Sequence, residues 1–600
     1  MRTGLSRFVE SACGVKGSIR PFFPLAVFSV VTLYFLYPIP LHLSSLVLGR
    51  PFEDAFESIW YLYWYKHALF DLRTSPLFEP DVFYPVGWDL GFSVMPPLYP
   101  ALLAPLTALV GHVAAYNLSL VGACVFAAYG VYVLGKALGA STWGSIIAGI
   151  AYAFYPNRQV YFGGFLNLLL GSMWLPWIVY GVVQATRRSL FRTRWMALAG
   201  LAFGLSIAGA WQFTFISTTA VAVFGAVCLW PGIRTEWRTW VRPIAVAALI
   251  VCLTAGPLLL NAFRVRQRIG ASAEFSFEDV DGTSVSIERL FVPSALNPLT
   301  WKLSRETFPL SNGEDGVVSF GYIPALLALL GVRHRPGKRL VRGFIAMIAT
   351  GVILMAGPTL HWWGQAVSLR LPGASVVGRV APMLVMPDGS LRIPMPAMAL
   401  HLPIPGFRSF HHFGRWGLIA SLGIAVLAGV GLTGIMRSCK PWVRVILGIG
   451  SFLCLMLEFN TQPLPAVTPI RQMQRNVDAW LAAQPEQNVI IEYPLSYTMH
   501  GQSLYYTIAH GQKIVHGSSI LPAGYPELLH TLNKWPGEAA IDLLEEIKVR
   551  YILVHAFRGE GFEEEILPDL LAITRLKLVA RFPTPIAPVR DVYLFELERE

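Results

Sequence analysis

Charged residues are scarce in this chain. They make up 14% of its 600 residues, whereas hydrophobic residues make up 54%. A typical soluble protein has about 25% charged residues, so the composition excludes an ordinary soluble enzyme or binding domain. The sequence also lacks a P-loop, a glycine-rich dinucleotide fingerprint after a strand, and an HExxH motif. Nucleotide-driven transport and soluble nucleotide-sugar chemistry therefore have no motif to support them.

Cysteine is scarce as well, with six residues in the whole chain. They stand at positions 13, 124, 228, 252, 439 and 454. All six fall in apolar segments or in loops that we predict to be cytoplasmic, and none falls in a predicted outer loop. The pattern therefore indicates neither a disulfide framework nor a cysteine metal site.

Long apolar segments are abundant. A helix needs about 20 apolar residues to span a bilayer, and twelve segments approach this length. They lie near 21–40, 95–111, 114–137, 142–157, 165–184, 195–210, 212–230, 241–261, 317–332, 342–358, 414–436 and 441–458. We therefore predict a polytopic α-helical membrane protein. The first segment is too long for a cleaved signal peptide and is followed by no small-residue cleavage pattern, which favours an uncleaved anchor.

The distribution of charge predicts the orientation. The net charge of +11 comes from arginines and lysines in short loops, which face the cytoplasm in membrane proteins. These basic stretches lie near 2–20, 187–194, 234–242, 333–342 and 437–444. The first loop (49–94) and the second loop (262–316) are rich in Asp and Glu and are predicted to face outward. The charge thus points to a membrane surface and not to nucleic acid, with the N-terminus cytoplasmic and the C-terminus outside.

Parity limits the number of crossings. Four apolar segments lie between the first loop and Arg187, but only an odd number of crossings can return the chain to the cytoplasm. One segment is therefore predicted to be re-entrant, broken or interfacial, and we choose 142–157 because it ends in Tyr155-Pro156-Asn157-Arg158. The prediction is about eleven crossings in residues 1–460, with the first and second loops as outer catalytic loops.

Residues 461–600 have a different character, with more charge and no apolar run of spanning length. Short β-branched runs alternate there with helical patterns, which predicts an extracytoplasmic soluble α/β domain. We call residues 461–600 the tail. The predicted strands are 488–493, 549–555, 578–582 and 592–597, and the predicted helices are 468–484, 536–547 and 566–574.

The first loop begins with a group of carboxylates, Glu53, Asp54 and Glu57, directly after the first apolar segment. Acids beside a membrane span are costly to keep and are often functional. We predict Asp54 as a general base, with a helix-capping role as the alternative. Glu57 follows three residues later, so a helix would place both acids on one face, suited to an acid–base pair or a divalent metal. The aromatic run Trp60–Tyr65 then predicts a helix at the headgroup level.

Several short motifs together carry a resemblance. The first loop has Phe83-Tyr84-Pro85-Val86-Gly87 after the acid and the aromatic run, and further motifs follow along the chain. These are Ala151–Arg158, Asn167 with Trp174-Leu175-Pro176, Pro405–Trp416 and His510–Gly517. The set resembles the C-type (GT-C) membrane glycosyltransferases, in particular a poorly characterised bacterial branch. One departure is that Gln159–Phe162 lacks the histidine expected ahead of Gly163 and Asn167.

The resemblance implies a membrane glycosyltransferase of the inner (plasma) membrane that uses a polyprenyl-phosphate sugar as donor and an unknown glycan, lipid or protein as acceptor. Asp54 would deprotonate the acceptor hydroxyl, and the sugar would invert at its anomeric carbon. A phosphate leaving group needs nearby positive charge. The predicted substrate-binding residues are Arg158, Asn167, Arg264, Arg266, Arg408, His411 and Arg415. No metal site is predicted from histidines, because His411 and His412 are adjacent and have no spaced third ligand.

Alternatives stay open at this point. Arg264 and Arg266 suit a cluster that anchors headgroups as well as a phosphate site. The acids of the second loop, Glu274 to Asp281, suit a solvated surface or a lid that carries a second acid. For the whole chain, a lipid or polysaccharide transporter and a non-catalytic scaffold of the cell envelope are the alternatives. The transporter is disfavoured because no internal repeat is evident.

Overall fold

The computed structural model describes most of the chain. The described residues are 22–51, 54–187, 189–270, 274–307, 317–334, 338–370, 381–401, 407–464, 466–498, 501–559 and 561–598. The predicted catalytic candidate Glu53, the basic stretch before residue 22, Cys13 and the Pro405-Gly406 part of one motif lie outside these ranges.

The N-terminal three quarters of the chain is helical. Its main helices are α1 (Phe22–Phe35), α2 (Asp54–Lys66), α3 (Leu98–Val110), α4 (His112–Ala137), α5 (Thr142–Ala153), α6 (Pro156–Val160), α7 (Leu166–Ser172), α8 (Leu175–Arg187), α9 (Arg192–Gly209), α10 (Phe213–Cys228), α11 (Trp230–Thr235), α12 (Trp237–Thr254), α13 (Gly256–Ile269), α14 (Phe277–Gly282), α15 (Trp301–Thr307), α16 (Tyr322–His334), α17 (Lys338–Met355), α18 (Pro396–His401), α19 (Gly417–Arg437) and α20 (Pro441–Glu458). Each of the twelve predicted apolar segments falls on one or two of them.

Five helical stretches among the described residues are long and apolar enough to span a membrane. They are His112–Ala137, Leu166–Arg187, Trp237–Thr254, Phe413–Arg437 and Pro441–Glu458. Shorter apolar helices, including α1, α3, α5 and α10, accompany them. The protein is therefore a multi-helix membrane protein, while the count of eleven crossings stays a prediction.

The segment that we predicted to be broken is short in the structure. Helix α5 has 12 residues, which at 1.5 Å per residue is about 18 Å, well below the 30 Å hydrocarbon thickness. After it, the chain passes through α6 and a single 3₁₀ turn before α7 begins. The segment predicted near 241–261 is also interrupted, because α12 ends at Thr254 and α13 begins at Gly256.

Helix α19 forms the centre of the helical part. All of its residues from 417 to 433 are buried, as expected of a helix that is apolar on every side. Helices α5, α16 and α17 pack against it. Helices α12 and α20 are mostly exposed and lie at the periphery, where their apolar residues suit contact with lipid.

Short strands lie in the loops between the helices. They are β1 (Leu46–Leu48), β2 (Phe78–Glu79), β3 (Trp88–Asp89), β4 (His361–Trp362), β5 (Gln365–Ala366), β6 (Ser368–Leu369) and β7 (Leu391–Arg392). Three antiparallel pairs form among them, β2 with β3, β4 with β5 and β6 with β7. The first loop and the loop before α18 therefore carry backbone hydrogen bonds of their own.

The described residues of the tail form six strands and six helices. The strands are β8 (Val467–Pro469), β9 (Val489–Tyr493), β10 (Lys513–Ile514), β11 (Val549–Phe557), β12 (Leu576–Pro583) and β13 (Val589–Leu597), and the helices are α21 (Asn476–Ala482), α22 (Leu495–Thr498), α23 (Gly501–His510), α24 (Tyr525–Leu532), α25 (Glu538–Glu546) and α26 (Phe562–Leu571). Five strands form one sheet with the order β10-β9-β11-β13-β12. Strands β9, β10 and β11 are parallel to one another, whereas β13 is antiparallel to both β11 and β12. The four predicted strands are confirmed.

The predicted helix 468–484 is wrong over its first half. Strand β8 and a 3₁₀ turn occupy that part, and only α21 is helical. Strand β8 pairs antiparallel with β1 at the start of the first loop. A partner more than 400 residues away thus overrides the local helical pattern.

The first loop also continues the tail sheet beyond β10. Val82 forms a parallel bridge with Ile514, whose amide donates to the Asp81 carbonyl at 2.8 Å. The amides of Tyr84 and Phe83 donate in turn to Ile514 and His516. The tail sheet therefore ends on a strand that belongs to the membrane part, so the division at residue 461 separates two parts of one hydrogen-bonded unit.

The aromatic run of α2 lies inside the protein and not on its surface. Trp60, Tyr61 and Tyr65 are at most 2% exposed. Trp60 stacks on Trp88 at 5.6 Å between ring centroids and donates from its indole to the Thr507 hydroxyl at 3.1 Å. The run was predicted to sit among lipid headgroups, but the tail helix α23 covers it, and the rings pack the junction between tail and membrane helices.

Candidate functional site

Asp54 is in the first turn of α2, where the helix dipole favours a negative charge. Two glycines allow other segments to approach this turn closely. A Cβ on Gly164 would lie 2.8 Å from the Ala55 amide nitrogen and 3.3 Å from that of Asp54, and a Cβ on Gly49 would lie 2.6 Å from the Ala55 Cβ. The Gly164 backbone has φ +152°, a conformation that residues other than glycine rarely adopt. The first turn of α2 is thus closely packed against the backbone at Gly49 and Gly164.

Arg415 lies close to the residue that follows Gly164. Its guanidinium carbon lies 5.7 Å from the centroid of the Phe165 ring, the residue next to Gly164. The side chain is 6% exposed and donates to the Gln212 side-chain oxygen at 2.6 Å. Two adjacent residues therefore make the contacts of this region: Gly164 packs on the backbone of the first turn of α2, and the Phe165 ring lies near the buried guanidinium of Arg415.

Asn167 connects α7 to the end of the first loop. Its side-chain amide donates to the Val94 carbonyl at 3.0 Å, and the indole of Trp211 donates to the neighbouring Ser93 carbonyl at 2.7 Å. Asn167 thus positions a loop, and its amide oxygen accepts from the Leu168 backbone.

Sequence reasoning missed Phe165, Trp211 and Gln212. The signal was a polar and aromatic interruption, Trp211-Gln212, between the apolar segments 195–210 and 212–230. It was counted only as a boundary between helices.

Glu57 is buried behind Asp54, at 4% exposure. Its Oε1 accepts hydrogen bonds from the Tyr61 hydroxyl at 2.9 Å and from the Ser518 hydroxyl of the tail at 2.8 Å. Burial and the charge of Asp54 raise the pKa of Glu57 to about 7, while the two hydrogen bonds act to lower it. Glu57 is therefore poised to change its charge near neutral pH.

Arg266, Arg408 and His411 form a second group in the second loop and before α19. One carboxylate joins the arginines, since Glu274 lies 2.9 Å from Arg266 and 3.7 Å from Arg408. The next residue, Phe275, has its ring centroid 3.9 Å from that of His411. The arginine Arg264 is exposed on α13 and is not part of this group.

Arg158 lies in the protein interior, fully buried. Its guanidinium donates to the Ala153 carbonyl at 2.6 Å, to the Ser172 hydroxyl at 3.2 Å and to the Ala123 carbonyl at 3.5 Å. These bonds connect the end of α5 to α4 and α7. The geometry suits a residue that satisfies backbone carbonyls where the helix breaks, so we do not carry Arg158 into the proposed phosphate site.

The acids of the second loop have defined partners. Asp281 is buried and accepts from the Thr359 hydroxyl at 2.7 Å, and Arg392 and His361 approach it to 3.5 Å and 3.9 Å. Together with the pairs of Glu274, this gives the loop fixed contacts with residues 359–408. Within the described ranges, no group of three or more His, Cys, Asp or Glu side chains could hold a metal ion.

The sequence matches no protein-family model. No curated protein matches it either. Solved structures, in contrast, resemble nearly the whole chain.

The arabinofuranosyltransferase AftD from Mycobacteria has a TM-score of 0.58 at 15% identity over 98% of this chain and 42% of AftD. The chain therefore spans about two fifths of that protein. The oligosaccharyltransferase of Archaeoglobus fulgidus has a TM-score of 0.54 at 12% identity, over 90% of this chain and 70% of its own. ArnT from Cupriavidus metallidurans, solved with undecaprenyl phosphate, has a TM-score of 0.53 at 10% identity, over 96% and 98% of the two chains.

These neighbours are GT-C glycosyltransferases, and the chain has the GT-C fold. The resemblance that the sequence motifs carried is confirmed at this level. A structural similarity at 10 to 15% sequence identity is evidence for a shared fold. The chemistry has to be inferred from the residues of the candidate site.

Proposed function

We propose that the protein is a glycosyltransferase that moves a sugar from a polyprenyl-phosphate donor to an acceptor at the outer face of the inner membrane. The observation that carries the proposal is the arrangement around Gly164-Phe165, where an acid and a buried arginine meet the same segment. The GT-C fold supports it, and so does the undecaprenyl phosphate bound to one structural neighbour. A lipid-linked donor also fits a site built at the end of membrane helices.

Asp54 is the proposed general base. The acceptor hydroxyl gives its proton to the Asp54 carboxylate while its oxygen attacks the anomeric carbon of the donor sugar. The bond from that carbon to the phosphate oxygen breaks, and the phosphate keeps the electron pair. Attack from the face opposite the leaving group inverts the sugar. General-base catalysis of this kind contributes roughly 10²- to 10⁴-fold in rate.

Arg415 is the proposed partner of the leaving phosphate. It is buried, and a buried cation stabilises developing negative charge more strongly than one in water. Arg266 and Arg408 are further candidates for the donor phosphate, but Glu274 already lies within ion-pair distance of both. We therefore rank Arg415 first and treat Arg264, Arg266, Arg408 and His411 as residues that would bind the donor at the rim. Asn167 positions the first loop through its hydrogen bond to the Val94 carbonyl.

The same arrangement supports the proposed orientation. The first loop, the second loop and the tail meet at one end of the helices, whereas contacts such as Arg192 to Thr239 at 2.6 Å join the basic loops at the other. Basic loops remain on the cytoplasmic side, so the site and the tail would be extracytoplasmic.

The test uses purified protein in liposomes with a panel of polyprenyl-phosphate hexoses and pentoses. Release of polyprenyl phosphate reports donor cleavage with any acceptor, water included. We expect Asp54→Asn to lose roughly 10²- to 10⁴-fold in turnover, because the amide cannot take the proton. Asp71→Asn is the matched control, since Asp71 is exposed just beyond the other end of the same helix and pairs with Lys66.

The outcomes separate the candidate functions. If Asp54→Asn keeps wild-type turnover, the base assignment is wrong. If the wild type cleaves no donor in the panel and a bound polyprenyl phosphate lies away from Asp54 and Arg415, the transporter and scaffold alternatives gain support.

A further inference from the structure

The segment that follows β10 brings the tail into contact with the proposed catalytic site. Gly517 packs on the Phe83 ring, and a Cβ at Gly517 would lie 2.5 Å from it. Ser518 comes next and donates its hydroxyl proton to Glu57 at 2.8 Å, across 461 residues of sequence. Ser518 is fully buried. The motif that ends at Gly517 thus brings this hydroxyl to the acid beside Asp54.

A second tail contact fixes the same residue. Helix α23 begins at Gly501, and a Cβ there would lie 2.6 Å from the Glu57 amide nitrogen. Phe56 meets Tyr505 of α23 with ring centroids 5.1 Å apart. Two segments of the tail therefore contact Glu57: Gly501 packs on its backbone, and Ser518 shares its carboxylate oxygen with Tyr61 of α2.

The groups that act on Glu57 are few. Asp54 is the charged group that raises its pKa, and the Tyr61 and Ser518 hydroxyls are the hydrogen-bond donors that lower it. Tyr65 and Lys66 lie on α2 itself, and titratable side chains on elements packed against α2 include His67, Tyr99, His112, Tyr116, Tyr505, Tyr506 and His510, with Asp89 on β3. Burial lowers the pKa of His510, which makes it neutral near pH 7. The charge of Glu57 is thus decided by burial, Asp54 and two hydroxyls.

We infer that the tail sheet completes the catalytic site: the Ser518 hydroxyl stabilises the ionised form of Glu57, and this charge makes Asp54 a stronger base toward the acceptor hydroxyl. The inference rests on the proposed function, and it makes Glu57 and Ser518 positioning residues of the reaction. Two like charges on one helix turn disfavour each other, so an ionised Glu57 makes Asp54 a stronger base. Without the hydroxyl, Glu57 would be protonated at neutral pH and Asp54 a weaker base.

The test is the titration of Glu57 in the full chain. The carboxyl stretching band in infrared difference spectra follows its protonation, and Glu57→Gln identifies the band by removing it. Loss of a hydrogen bond to a carboxylate raises the pKa of that carboxyl by about one. In Ser518→Ala we therefore expect the titration of Glu57, and the rise of donor cleavage with pH, both to move up by about one on the pH scale.

Two variants control the experiment. Ser518→Thr keeps the hydroxyl and should restore both midpoints toward the wild type. Ser519→Ala removes the neighbouring, exposed hydroxyl and should leave both curves unchanged. A Glu57 band that titrates alike in the wild type and Ser518→Ala overturns the inference. If the Glu57 band shifts in Ser518→Ala but the pH dependence of donor cleavage does not, the charge of Glu57 does not control the transfer reaction.

The infrared titration needs no turnover, so it is read separately from the proposed function. If Asp54→Asn keeps full activity, the proposed function fails whatever the band does. If Asp54→Asn is inactive and the Ser518→Ala curves overlay the wild type, only the role of the tail fails.

Discussion

Replacing Gly164 by alanine tests whether close packing holds Asp54 in place. The new Cβ would lie 2.8 Å from the Ala55 amide nitrogen, and an ordinary contact begins near 3.4 Å. The first turn of α2 would therefore move by about 0.6 Å, because the obstructing atoms are backbone and have no rotamer to change. The φ of +152° adds backbone strain of about 1–3 kcal/mol for a residue other than glycine.

The expected effect on turnover is larger than the effect on folding. A displacement of about 1 Å in a positioned catalytic group can cost about 10²-fold in rate. We expect Gly164→Ala to reduce donor cleavage by roughly tenfold to a hundredfold, while the protein still inserts and purifies. Turnover in liposomes and thermal unfolding in detergent, measured on the same preparation, separate the two effects.

Gly139 provides the matched control. It also has a positive φ, +85°, but no atom would lie within 4 Å of an added Cβ. Gly139→Ala should therefore show a loss of stability without a comparable loss of turnover. Wild-type turnover in Gly164→Ala would refute the reasoning, because it would mean that Asp54 tolerates the shift or takes no part in the reaction.

Two further predictions concern buried arginines. Arg415→Lys keeps the positive charge but loses the planar guanidinium, and we expect donor cleavage to be roughly 10²- to 10³-fold slower. The control Arg558→Lys, on the exposed surface of the tail, should cleave the donor at the wild-type rate. Wild-type cleavage by Arg415→Lys would exclude Arg415 from the phosphate site. Arg475→Met should destabilise the tail by about 3–5 kcal/mol, because it removes the guanidinium that pairs with two buried carboxylates, Glu492 and Asp478, and leaves His555 as the ion-pair neighbour of Glu492. Burial alone would raise the pKa of Glu492, but Arg475 holds it well below its usual value, so this stability is present at neutral pH and lost in acid. The measurement is amide hydrogen exchange of β9 at neutral and acidic pH, with Arg550→Met at the sheet surface as the control. Equal protection of β9 in Arg475→Met and Arg550→Met would contradict the prediction.

The helical part was predictable because apolar length and charge asymmetry are local signals. Helix α20, for example, coincides with its predicted segment, and β9 and β11 follow from short β-branched runs. Strand β10 was missed because two residues, Lys513 and Ile514, carry no periodicity. It pairs with β9 on one side and bridges to Val82 of the first loop on the other, and neither partner is indicated by the residues around it.

The site was predictable in part, for a similar reason. An acid after a span and arginines near span ends are visible in the sequence, so Asp54 and Arg415 could be chosen. The sequence does not indicate which arginine is buried in the interior. Arg158 differs from the others only through its hydrogen bonds to the Ala153 and Ala123 carbonyls, which depend on the tertiary structure. Ser518 could not be chosen either, since one of two adjacent serines is buried against Glu57 and the other is exposed.

The shared sheet also has a consequence for biogenesis. The first loop leaves the ribosome early, yet its strand β1 and residues 81–84 find their partners in β8 and β10, after every predicted span has been made. During synthesis the backbone groups of these segments therefore remain without their tail partners until the tail has been made. The surroundings of Asp54 are complete only after the tail has folded against the first loop. A chain truncated before residue 513 would lack the tail strands and the Ser518 hydroxyl that contact the first loop and Glu57, so its candidate site would be incomplete.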